Sequence, residues 1–211
     1  MSEKKEKIKV TTPLVRASFP FLDKPNNQGQ YPDNKYKVTG LIEKDREAEL
    51  KPLKQAILKA AQNKWGKINY KDLETPFRDG DEKEKMEGYA GCVYFTAKSD
   101  RKPGIVGPDT NPLPEGESIY GGCYVKFSCV PYAYERGGEV VEVVNGQRKK
   151  TKETIRGVGL GLQNIQFIRH GESFGGRSSP QEDFDIEELE VNGNQIDSSN
   201  SEEQVGEDEI L

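Results

Sequence analysis

The sequence predicts a mainly β fold: a five-stranded barrel with one amphipathic helix, a β-hairpin extension and a disordered acidic tail. Three observations carry that expectation. Apolar and polar residues alternate with a period of two in several separate runs, as half-buried strands require. Only the stretch from Asp45 to Gly66 shows helical 3–4 spacing. Charge is also divided along the chain. Residues 178–211 hold 12 acidic and no basic residues, whereas residues 1–177 hold the other 24 acidic and all 31 basic ones, so a body of +7 precedes a tail of −12.

The elements follow in order. Ile8–Thr12 alternates and is rich in β-branched residues, so it starts a strand. Pro13 interrupts it, which suggests a bulge or an edge. In the next run, Leu14–Phe19, the alternation sets Val15, Ala17 and Phe19 on one face and Leu14, Arg16 and Ser18 on the other. Pro25–Gly29 reads as a loop and Tyr36–Glu43 as the second main strand, with Gly40 suggesting a sharp bend. Asp45 offers an N-cap for a helix whose apolar stripe is Leu50, Leu53, Ile57, Ala60 and Ala61. Pro52 either kinks that helix or marks its true first turn, and Gly66 ends it. Thr75–Asp81 reads as a turn anchored by Phe77. Gly91–Lys98 is a strand with Val93, Phe95 and Ala97 on one face and Cys92, Tyr94, Thr96 and Lys98 on the other. A Pro/Gly-rich connection then runs from Asp100 to Ser118.

Tyr120–Tyr134 is the strand around which the rest is organised. Cys123, Val125, Phe127 and Cys129 form a core face, and Tyr124, Lys126, Ser128, Tyr132 and Tyr134 form the opposite one. A solvent face that interleaves tyrosines with a lysine can stack flat rings and neutralise phosphates. Asn145-Gly146 then joins Glu139–Val144 to Gln147–Lys152, a strong hairpin signal. In the last strand, Ile155–Phe167, the apolar phase slips at Gln163-Asn164, which predicts a bulge or a short helical piece. Gly157, Gly159 and Gly161 alternate on one bare face where a backbone or ligand packs close. Their spacing lacks the third glycine of a dinucleotide fingerprint, and no βα unit follows.

Two domains are expected: a folded body over 1–177 and a tail over 178–211, whose Ser, Asn, Gln and acidic composition cannot offset the entropy of ordering. The start lacks an apolar signal core, and no apolar run is long enough to span a bilayer. Three cysteines, an odd number, read as free thiols in a reducing cytoplasm.

A basic body with a tyrosine-rich strand face points to a polyanion partner. The candidate stacking residues are Tyr94, Tyr124, Tyr132 and Tyr134. The candidate phosphate contacts are Lys98, Arg101, Lys102, Lys126, Arg148, Lys149, Lys150, Lys152 and Arg156. Enzymatic readings have thinner support. Asp79, Asp81 and Glu82 could hold a divalent ion for a metal-dependent nuclease, but the spacing is equally that of an ordinary turn. Cys92, Cys123, Cys129 and His170 are zinc-ligand types without Cys-x-x-Cys spacing. No catalytic residue, metal or cofactor is therefore expected. A β-rich scaffold protein of a virion is the remaining class, and it would leave the charge split unexplained.

Strands with basic and aromatic faces, one helix and an acidic tail are the layout of an OB-fold single-strand binder. The chain also resembles the tailed-phage single-stranded DNA-binding proteins. The matching pieces are Arg16-Ala-Ser-Phe19, Tyr36-Lys-Val-Thr-Gly-Leu-Ile-Glu-Lys44 ahead of a helix, and Phe77-Arg-Asp-Gly-Asp81. Further pieces are Lys102-Pro103, Ile119-Tyr-Gly-Gly-Cys123, Tyr132-Ala-Tyr134 and Gly161-Leu-Gln-Asn-Ile-Gln166. They recur in order from about residue 8 to residue 175. The resemblance implies an OB-fold, sequence-tolerant binding of single-stranded DNA, and roles in phage DNA replication, recombination and repair in the host cytoplasm. It further implies a tail that contacts replication or recombination proteins through Glu207, Asp208, Glu209, Ile210 and Leu211. Some members of the wider phage group have an aromatic residue after the acidic run, where this chain has Ile210-Leu211. A monomer and a homodimer are both compatible with these features.

Overall fold

The computed structural model describes residues 8–27, 32–144 and 147–175, with the side chains of residues 139–152 outside that description. The acidic tail, with Glu207–Leu211, also lies outside the described residues.

Among the described residues eight strands form in chain order: β1 (Val10–Thr11), β2 (Val15–Phe21), β3 (Tyr36–Glu43), β4 (Phe77–Asp79), β5 (Cys92–Ser99), β6 (Gly104–Val106), β7 (Tyr124–Val144) and β8 (Gln147–Arg169). Five of them close a ring. β7 pairs with β2, β2 with β3, β3 with β5, β5 with β8, and β8 back with β7. The β5–β8 pairing is parallel and the other four are antiparallel, so the mainly β, OB-fold-like architecture is present.

The core fills the ring. Phe95 and Phe127 meet at its centre with ring centroids 5.6 Å apart, and both are buried. Gly40 lies in regular register between Ala17 and Phe95 rather than at a bend. A Cβ there would come within 2.9 Å of Phe127 Cζ, so the glycine makes room for the ring. Cys123 and Cys129 are buried with this core, and burial pushes the Cys129 thiol up to about 12. A thiol held neutral in this way is a poor zinc ligand.

The helix α1 spans Lys51–Trp65 and buries Leu53, Ala56, Ile57, Ala60 and Ala61 at helical spacing. Pro52 stands in its first turn, where no N–H is needed. Asp45 is not its N-cap, because Lys44–Leu50 forms a 3₁₀ segment ahead of it. Gly66 ends α1 at φ +75°, donating its N–H to the Gln62 carbonyl at 2.9 Å.

Three further expectations change. Thr75–Asp81 is more than a turn: Phe77–Asp79 pairs with β5, and Phe77 meets Phe95 edge-on at 5.4 Å. The strand expected from Tyr120 starts only at Tyr124, after a turn at Gly121-Gly122, and it runs on into the hairpin arm as one 21-residue strand, β7. Phe19 leaves the core face. The β2–β3 register shifts between Ser18 and Phe21, so Ser18 is buried while Phe19 is 49% exposed. The phase slip in the last strand is a bulge: Ser128 pairs with Asn164 and Cys129 with Leu162, leaving Gln163 as the extra residue.

Candidate nucleic-acid interface

Strand register determines which outward residues become neighbours. Phe21 on β2 lies opposite Lys37 on β3, and Lys37 opposite Lys98 on β5. Lys98 lies beside Gly161 on β8, which lies opposite Val130 on β7. One row thus crosses five strands. The row beside it carries Thr39 opposite Thr96, hydroxyl to hydroxyl at 2.9 Å, and Gly159 opposite Tyr132. Tyr94 follows on β5, opposite Leu41.

The β2, β3 and β5 parts of these rows floor a groove of about 410 Å³ lined by Phe19, Phe21, Lys37, Lys83, Tyr94 and Lys98 among others. Lys83 Nζ stands 4.7 Å from the Tyr94 ring centroid, and Lys37 Nζ 5.3 Å from that of Phe21. In OB-fold proteins the face of the second and third barrel strands, here β3 and β5, is where oligonucleotides lie.

Asp33, on the β2–β3 connection, reaches into this basic groove. Its carboxylate accepts from Lys98 Nζ at 2.7 Å, Lys37 Nζ at 3.4 Å and Asn26 Nδ2 at 3.3 Å. Burial alone would raise its pKa, but the hydrogen bonds from Lys98 and Asn26 and the two lysine charges outweigh that and lower it to about 2. Two ammonium groups and an amide N–H₂ converge there on one carboxylate, a donor set of the kind that suits an anion. Asp33→Asn is therefore expected to tighten single-stranded DNA binding about 3- to 10-fold at low salt, since it removes a competing anion and one like charge. Fluorescence anisotropy at low and high salt checks this. A looser complex at low salt would mean that Asp33 organises the lysines instead of occupying their seat.

The glycine stripe has a specific occupant. A Cβ at Gly159 would lie 2.5 Å from Tyr132 Cζ, and one at Gly157 would lie 2.4 Å from Tyr134 Cζ. Both rings therefore rest across the glycine backbone of β8, their cross-strand partners. Tyr132 keeps 49% of its surface exposed. Tyr134 is more committed: its hydroxyl donates to Glu74 Oε2 at 3.1 Å, and Arg136 grips the same carboxylate at 3.0 and 2.9 Å. The Arg136 hydrogen bonds hold Glu74 below the usual carboxylate range.

The structure brings Tyr94, Lys98 and Tyr132 onto one face, with Tyr134 at its margin. It does not bring Tyr124 there. Tyr124 lies eight residues from Tyr132 along β7, about 26 Å in an extended strand. Its ring is also taken, with the Arg169 guanidinium 3.4 Å from the centroid and Arg16 at 5.6 Å on the Tyr124 ring. Lys126, opposite Gln166, lies two residues from Tyr124 on the same stretch of β7. Arg101 and Lys102 follow the end of β5, and Lys102 pairs with Asp23 at 3.2 Å. Arg156 lies opposite Glu135, out of phase with the Tyr134–Gly157 pair. There it ion-pairs with Glu135 at 3.6 Å and stands 5.8 Å from the Trp65 ring of α1. In the hairpin arm the register sets Arg148 opposite Val143, Lys149 opposite Glu142, Lys150 opposite Val141 and Lys152 opposite Glu139. Lys149 alone of the four occupies a position in phase with Gly157 and Gly159.

Sequence reasoning missed Lys37, Lys83, Phe19 and Phe21. Alternation around Val38 was a usable signal for Lys37. The acidic triplet already holds a cation of the chain itself. Lys44 Nζ stands between Asp79 Oδ1 and Asp81 Oδ2 at 2.7 and 2.5 Å, and among the described residues no group of three or more acidic, Cys or His side chains could hold a metal ion.

A family model described as the single-stranded DNA-binding protein of Enterobacter phage Enc34 matches residues 8–195. Protein p50 of Acyrthosiphon pisum secondary endosymbiont phage 1 is 31% identical over 192 residues, 84% of this chain and 93% of that protein. Among solved structures, the single-stranded DNA-binding protein from bacteriophage Enc34 in complex with ssDNA aligns with a TM-score of 0.56 at 22% identity, covering 79% of this chain and 89% of that one. A C-terminal truncation of the same phage protein aligns with a TM-score of 0.56 at 21% identity, covering 80% and 88%. At these identities the two structures speak for the fold.

Proposed function

Because this chain belongs to the Enc34 family of phage single-stranded DNA-binding proteins, we propose that it binds single-stranded DNA with little sequence preference along the β3–β5 groove and its Tyr132 margin, in phage replication, recombination and repair. The carrying observation is the convergence of Lys37 and Lys98 on one carboxylate within a groove lined by Phe19, Phe21 and Tyr94. Cations in that seat neutralise phosphates, and the rings stack bases, each stack contributing on the order of 1–3 kcal/mol. Every base has a π-face, which is why sequence should matter little. In this reading Arg101, Lys102, Lys126, Arg148, Lys149, Lys150, Lys152 and Arg156 supply further phosphate contacts.

Residues 178–211, with 12 acidic side chains, act in this reading as an internal competitor for the basic groove. Glu207, Asp208, Glu209, Ile210 and Leu211 serve it as a docking peptide for replication or recombination proteins. The family's binding proteins stand against the nuclease reading.

Anisotropy titration with labelled poly-dT, duplex DNA and RNA of equal length tests this. Tight, salt-sensitive binding to poly-dT and weak binding to duplex is expected, with a salt slope of about −0.7 per phosphate contacted. Equal affinity for duplex would sink the proposal. Removing residues 178–211 is expected to tighten poly-dT binding at low salt, and unchanged affinity would dismiss the competing tail.

A further inference from the structure

We propose that Phe19 is a dedicated base-stacking residue of the groove, a role that rests on the single-stranded DNA reading above. Phe19 combines three unusual properties. Its φ is +45°, in the left-handed region that bulky non-glycine residues avoid. It directly precedes Pro20, a position normally held in extended conformation. The residue is 49% exposed although it lies within a core strand.

No packing gain explains this arrangement. In regular alternation Phe19 would follow Val15 and Ala17 into the core, as both of those are buried. Instead, the register break before Phe21 buries Ser18, whose hydroxyl meets the Tyr89 hydroxyl at 3.2 Å, and turns the large apolar ring outward. The fold thus spends both backbone strain and apolar burial to hold a ring at the surface. Strain of this kind persists where surrounding structure enforces it, and it gathers at binding sites.

The ring is turned into the same groove as Lys37, Tyr94 and Lys98. A base on Phe19 would leave its phosphate within reach of the seat that Asp33 now occupies between the two lysines. A strained, pre-positioned ring loses little conformational freedom on binding, so more of the stacking energy goes into affinity.

Two variants of the full chain decide the matter. Phe19→Asn removes the ring but keeps a residue that tolerates φ > 0. It is expected to bind labelled poly-dT about 10- to 100-fold more weakly, while melting at or above the temperature of the parent chain. Phe19→Trp keeps a flat ring and is expected to bind within about 3-fold of the parent, with indole emission quenched by poly-dT beyond any change seen for Trp65 in the parent. Parental affinity in Phe19→Asn would overturn the proposal and leave the lysine groove standing. So would loss of binding, or unquenched emission, in Phe19→Trp. A parent chain that fails to prefer poly-dT over duplex would instead overturn the reading beneath it.

Discussion

Replacing both Lys37 and Lys98 by alanine is expected to weaken single-stranded DNA binding by about 100-fold at low salt and to flatten its salt dependence. The two ammonium groups lie opposite each other across β3 and β5 and share one anion, Asp33, at 3.4 and 2.7 Å. Hydrogen bonds to charged groups contribute roughly 1.5–3 kcal/mol each, so two lost phosphate contacts amount to about two orders of magnitude or more. The double substitution also leaves the Asp33 carboxylate uncompensated in the groove, where it repels phosphate. Its pKa, lowered to about 2 in the intact protein, should rise once the lysines are gone, because their hydrogen bonds and charges oppose the effect of burial. The salt slope should fall by about 1.4, two phosphates at about 0.7 each. Lys54→Ala is the control, since that lysine pairs with Glu47 at 2.5 Å and lies on α1. Equal loss in the control would show a general charge effect and no seat.

Replacing Phe127 by alanine is expected to destabilise the body by about 3–5 kcal/mol. The side chain is buried at the centre of the ring, against Phe95 at 5.6 Å and close over Gly40. Its neighbours belong to strands held by a closed hydrogen-bond circuit, so they cannot collapse into the space. The Phe127 backbone is engaged separately: its N–H donates to Thr12 Oγ1 at 3.0 Å, and its carbonyl accepts from the Thr12 N–H at 3.0 Å. Truncation therefore removes packing without removing those bonds. Urea denaturation should show a lower midpoint at unchanged slope. A loss under about 1 kcal/mol would mean that the two rings do not form the core's centre.

Much of this architecture was readable from local pattern. The split of β7 into a cysteine and valine face and a tyrosine and lysine face follows from the two-residue period, which no tertiary contact has to supply. The Gln163 bulge showed as a slip in apolar phase, and the α1 stripe as 3–4 spacing. The site was only partly readable. Alternation turns Tyr94, Lys98 and Tyr132 outward and they lie on one face, but Tyr124, turned outward by the same alternation, and Arg156, a candidate by its charge, lie elsewhere. Alternation says which side of its own strand a residue occupies. It does not say what has already claimed that residue, as Arg169 claims Tyr124 and Glu135 claims Arg156.

By itself, then, the sequence determined most of the strand phase, the apolar stripe of α1 and the separation of a basic body from an acidic tail, because each depends on neighbours a few residues apart. Only the tertiary structure decided where those phases meet. Parallel pairing of β5 with β8 sets Lys98 beside Gly161, and the β7–β8 register lays Tyr132 across Gly159. The β2–β3 connection carries Asp33 to two lysines that lie 61 residues apart in the chain. The register break in β2 turns Phe19 out of the core against its own alternation. These are consequences of closing a sheet into a ring, where every strand must satisfy two neighbours at once, and that constraint is non-local.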